Sequence, residues 1–148
     1  MAPTEPLFRR VPADKLEYRL TETSFSIGQL LRHIPGSLSY MARVINREEV
    51  EWKSLREVLL ANRKHGSATV NEAIELLAKN KALLRSSIDN LTEGDFQRGV
   101  LDTPQLGKVP HWRYGAFVVE HHIHHFMELH LTLKSMGVSV NTKTLYVG

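Results

Sequence analysis

Residues 110–137 read PHWRYGAFVVEHHIHHFMELHLTLKSMG. Proline is favoured at the first position of a helix and glycine just past its end, so Pro110 and Gly137 bound one long helix running to about Met136. Five of the eight histidines crowd into its residues 121–130, and their internal position distinguishes them from an expression tag. His121 and His125 are four residues apart, about 40° around the axis and roughly one turn along it. Phe117, Val118, Leu129 and Met136 lie within about 100° of His121, so the pair faces inward, and Glu128 shares that face. His122 and His124 flank the stripe as boundary or surface residues, and His130 points away. Two adjacent buried imidazoles need partners for their ring nitrogens, and one divalent ion supplies a common partner.

Upstream, Ser24 or Ser26 caps a first long helix in which Ile27, Leu30, Leu31, Ile34, Leu38, Met41 and Ile45 recur at helical spacing. Pro35 and Gly36 interrupt that pattern, predicting a kink or a fresh start directly after His33. A second helix is expected over 48–61, with Val50, Leu55, Val58 and Leu59 inward. The cleanest helix follows Ser67 or Thr69 and carries Val70, Ala73, Ile74, Leu77, Leu84 and Ile88 on one face, with Glu72, Glu75, Lys79, Lys81 and Arg85 on its polar positions. Thr92 with Asp95 reads as a capped short turn before a loop over 99–109. Residues 1–23, with three prolines, read as an extended lead-in with a short helical turn within 13–19, and the tail after Val138 is apolar enough to dock. Long helices joined by short connections, with almost no alternating pattern, predict an all-α up-down four-helix bundle forming a single domain over 1–148.

The composition sets the bounds of function. At 148 residues and 42% hydrophobic, the chain has the size and apolar content of one ordinary domain. No stretch has the roughly 20 apolar residues of a spanning helix, and the N-terminus lacks the apolar core of an export signal, so the expected location is the cytoplasm. Cysteine is absent, which excludes disulfides and thiolate ligands and leaves histidine and carboxylates to hold any metal. The net charge of +3 is spread without a basic stripe, which disfavours nucleic acid as a partner.

A site inside a bundle needs a ligand from a second helix. His33 is the best candidate, on the apolar first helix just before Pro35, whereas His65 and His111 lie in expected connections. Three neutral nitrogens leave positions for water or substrate, as in catalytic rather than structural zinc. The alternative is a set of core histidines without a metal.

These segments resemble the DinB-like family of metal-binding four-helix bundles over nearly the whole chain. Val11-Pro-Ala-Asp-Lys-Leu-Glu-Tyr-Arg19 is similar to its opening element, and Ser26-Ile-Gly-Gln-Leu-Leu-Arg-His-Ile34 to the segment that carries its first metal histidine. His121-His-Ile-His-His-Phe-Met-Glu-Leu129 stands at its closing element, followed by Met136-Gly137 and Leu145-Tyr146. Carried over, the resemblance implies a metal set of His33, His121 and His125. Phe126-Met127-Glu128 replaces the family's Arg-Gly-Gln, so Glu128 is either a fourth ligand or a partner of one.

The resemblance further implies zinc or nickel, a homodimer, and in some members transfer chemistry on a low-molecular-weight thiol such as mycothiol, bacillithiol or glutathione. The expected function is a metal-dependent hydrolase or small-thiol S-transferase acting on a small-molecule substrate, with Glu128 or Tyr40 handling protons. The competing expectation is a non-catalytic bundle in which the ion is structural. Trp112, Arg113 and Tyr114 open the last helix, at a site entrance or a dimer contact.

Overall fold

The computed structural model describes residues 3–50, 54, 56–57, 60–61, 64 and 66–146. Six helices and one short hairpin are named among them: α1 (Thr4–Phe8), α2 (Ile27–Ile45), α3 (Val70–Asp89), α4 (Glu93–Arg98), β1 (Val100–Thr103), β2 (Gly107–Pro110), α5 (His111–Ser135) and α6 (Thr142–Tyr146). Of the helix expected over 48–61, residues 51–53, 55 and 58–59 lie outside that description; 48–50 are not helical, whereas 56–57 and 60–61 are. None of the described helices is long and apolar enough to cross a membrane.

Local chemistry sets the helix starts. Ser26 accepts from the Gln29 amide while the Gln29 side chain accepts from the Ser26 amide, and Thr69–Glu72 and Thr92–Asp95 repeat this reciprocal cap on α3 and α4. At the other end of the chain, α5 stops where Gly137 adopts a φ of +77°, a conformation that costs glycine nothing.

Three expectations need correction. The chain does not start afresh at Pro35: α2 continues through it as one helix. The missing amide removes one bond in a helix whose Leu30, Leu31, Ile34 and Leu38 are all but fully buried, and that packing holds the element together. The lead-in is not simply extended either. Pro6 falls in the first turn of α1, where an amide has no intrahelical partner to lose, and Thr4, Leu7 and Phe8 are completely buried. Finally, the loop expected over 99–109 is mostly an antiparallel hairpin, with Leu101 opposite Val109 and Thr103 opposite Gly107. Its alternation spans only four residues on β1, Leu101 and Thr103 inward, too short to stand out in sequence.

The core lies where α2 meets α3 and α5, built from the buried face of α2 together with Ala73, Leu77 and Leu84 of α3 and Tyr114, Val118, Phe126, Leu129 and Leu133 of α5. His33 packs against His121 and His125, while Tyr40, two turns further along α2, lies near Tyr114 at the start of α5. Ascending α2 thus means descending α5, and the two helices run antiparallel.

Candidate metal centre

His33 reaches the site from α2 and is buried; His121 and His125 come from successive turns of α5 and are partly buried. The Nε2 atoms of His33 and His121 lie 3.2 Å apart. The His125 ring packs edge-on against both, with centroids 4.5 Å from His33 and 4.7 Å from His121. One nitrogen from each of the three lies within 4.8 Å of the others. Two nitrogens bound tetrahedrally to one zinc at about 2.0–2.1 Å are separated by roughly 3.3 Å, so the His33–His121 spacing fits a shared ion.

The ring nitrogens are also prepared chemically. His125 Nδ1 lies 2.9 Å from Glu128 Oε2. An ionised carboxylate only accepts, so Nδ1 donates and the electron pair of His125 sits on Nε2, free for a metal. Burial, reinforced by the neighbouring His125, His124 and His122, lowers the His121 pKa to about 4 and keeps that ring neutral at ordinary pH. Two aromatic rings wall the cluster. Phe25 lies 5.1 Å from the His33 ring and 5.8 Å from that of His125, and Phe117 lies 5.7 Å from His121.

The predicted set is therefore brought together, with Glu128 beside it. Tyr40 stands seven residues beyond His33 on α2, roughly 10 Å along the axis. It is half-buried, with its hydroxyl pKa raised by burial and partly offset by a hydrogen bond with Gln105. Tyr114, on the same antiparallel layer of α5, is fully buried, and its pKa is raised by burial and by Tyr40.

Other histidines differ from expectation. His122 is buried rather than at a boundary, because α1 folds over it and Thr4 Oγ1 meets its Nε2 at 2.9 Å. His130 is buried rather than pointing away, and neither of its ring nitrogens has a partner among the described residues. His111 begins α5 instead of sitting in a connection, and its Nδ1 and backbone amide both turn to the Gly99 carbonyl at 3.0 and 3.1 Å. His65 lies outside the described residues. Phe25 was not legible as part of the site, since nothing in sequence marks an aromatic before the Ser26 cap as packing on rings 100 residues away.

A sequence model of the DinB superfamily matches residues 2–129. No protein of curated function matches. Among solved structures, the crystal structure of a DinB-like protein, YjoA from Bacillus subtilis, is similar with a TM-score of 0.66 and 24% identity over 93% of this chain and 86% of that one. At that identity the likeness speaks for the fold, which is a DinB-like all-α bundle. With the superfamily match spanning most of its length and a bundle of the same shape, the chain belongs to the DinB superfamily.

Proposed function

We propose that His33, His121 and His125 bind one divalent ion, zinc or nickel, and that the protein is a metal-dependent S-transferase for a small external thiol, or a hydrolase built on the same centre. The observation that carries this reading is the 3.2 Å approach of two imidazole nitrogens from different helices, with a third ring packed against both. Three neutral ligands leave an ion most of its charge, and when bound it lowers the pKa of a thiol or water toward neutrality.

The protein's own groups do the rest. Glu128 holds the Nδ1 proton of His125 and so orients that ring. Phe25 and Phe117 limit water around the cluster. Glu128, a carboxylate beside the cluster, takes up the proton of an incoming thiol, and Tyr40 serves only a substrate long enough to extend two turns along α2. The absence of cysteine agrees with a thiol that arrives as substrate.

A second reading, a structural ion without catalysis, draws support from the same geometry, since the ligands join α2 to α5. Elemental analysis of untagged protein, beside His33→Ala, His121→Ala and His125→Ala, tests binding. About one ion per chain, lost in each variant with helicity retained, supports the open site; variants that unfold support the structural ion; a metal-free parent after incubation with zinc and nickel defeats both.

For assembly we propose a homodimer through the outer face of α5. Trp112, Val119 and Ile123 are each about half exposed, at 51%, 54% and 53%, and their spacings of seven and four place them on one stripe.

A further inference from the structure

A second set of donors borders the three-histidine cluster. His124 and Glu128 are four residues apart on α5, so they lie on one stripe, about one turn apart, in a relation that lets two side chains grip one ion. Glu128 Oε2 is 2.9 Å from His125 Nδ1, and the His124 and His125 rings stand edge to face with centroids 4.8 Å apart. One donor atom from each of His124, His125 and Glu128 lies within 4.8 Å of the others. His124 is exposed and its two companions are partly buried, so this group leads from solvent toward the cluster behind it.

We propose that His124, Glu128 and the Nδ1 atom of His125 hold a second divalent ion of the zinc or nickel class, with His125 shared between the two ions through its two ring nitrogens. The proposal rests on the reading that His33, His121 and His125 hold the first. Two features favour it. The two nitrogens of an imidazole point in divergent directions, and Nδ1 of His125 is turned toward Glu128. The carboxylate also supplies the negative charge that three neutral imidazoles lack, which suits a position next to another cation.

The balance of the step fixes its character. For Nδ1 to ligate, the proton it donates to Glu128 must leave to solvent, so one proton is released per outer ion bound and the shared ring bridges as an imidazolate. It is the weaker of the two, because an exposed side chain must be ordered and a proton removed. An ion arriving from solvent meets His124 before it reaches the buried nitrogens.

Calorimetric titration of the metal-free full chain with zinc alone, and separately with nickel alone, tests this. The expected result is a tight step near one equivalent followed by a weaker second step, with His124→Ala lowering the affinity of the second at least tenfold and leaving the first intact. With copper(II) as the probe, the doubly loaded parent should show a spin-coupled, attenuated resonance signal, and His124→Ala an uncoupled one. A single step, the same in parent and His124→Ala, overturns the second site while leaving the first standing. No step in the parent overturns the three-histidine reading and this one with it.

Discussion

Asn80 on α3 donates its side-chain amide to the Pro35 carbonyl of α2 at 3.0 Å, two residues beyond His33. Asn80 is buried, and a buried amide is tolerated only if it is hydrogen-bonded. The bond ties α3 to α2 beside the proline that removes a helical hydrogen bond, and it steadies the turn that carries His33. Asn80→Ala should therefore lower stability by about 1–3 kcal/mol. Urea denaturation of the metal-free protein measures this; a midpoint unchanged from the parent would show that α2 needs no such tether.

The long helices were legible in sequence because each carries its own signals. Ser26 with Gln29 and Thr69 with Glu72 cap α2 and α3 where the pattern places them, and Pro110 and Gly137 flank α5. The convergence of His33, His121 and His125 was legible for the same reason, since side chains on two periodic helices inherit their faces. His122 and His130 were not. A helical wheel compares a residue only with its own helix, and the cover over His122 comes from Thr4, 118 positions away in a segment whose prolines suggested no helix. The hairpin escaped notice because its inward alternation is only two residues on β1, Leu101 and Thr103.

The cover on His122 is itself testable. Thr4 supplies the hydrogen bond to Nε2, and the other ring nitrogen has no partner among the described residues. Thr4→Val keeps the shape of the side chain and removes the hydroxyl, leaving a buried imidazole with neither nitrogen bonded. The expected loss is roughly 1–3 kcal/mol, with metal stoichiometry unchanged because His122 lies outside the proposed ligand set. Thermal unfolding and elemental analysis on one preparation read both quantities. A stable variant that had lost its metal would mean that His122, not His121, faces the ion.

The apolar stripe on α5 gives a third expectation. If Trp112, Val119 and Ile123 pack against a second copy, then a charge placed within that contact must be buried without a partner, which weakens association by several kcal/mol. Ile123→Glu should convert a dimer to monomer in light scattering at micromolar concentration while leaving helicity intact, since the parent side chain is half exposed. A parent that is monomeric throughout would remove the dimer reading; a variant that remains dimeric would move the contact to another face.

Acid should destabilise the metal-free protein in a defined window. Burial lowers the pKa of both His121 and His122 to about 4, from 6.5 for a free histidine. Above pH 6.5 these rings are neutral in both folded and unfolded chains, and stability does not depend on their protonation. Between about 6.5 and 4 the unfolded chain takes up protons that the folded chain refuses, so stability falls as pH falls, by at most roughly 1.4 kcal/mol per pH unit for each histidine. Below about 4 the folded chain protonates too and the dependence on these groups ends. Denaturation midpoints of the metal-free protein at pH 7.5, 6, 5 and 4 should therefore decline, and His122→Asn, which cannot take up a proton, should show a shallower decline than the parent. Equal slopes in the two proteins would place the acid sensitivity elsewhere.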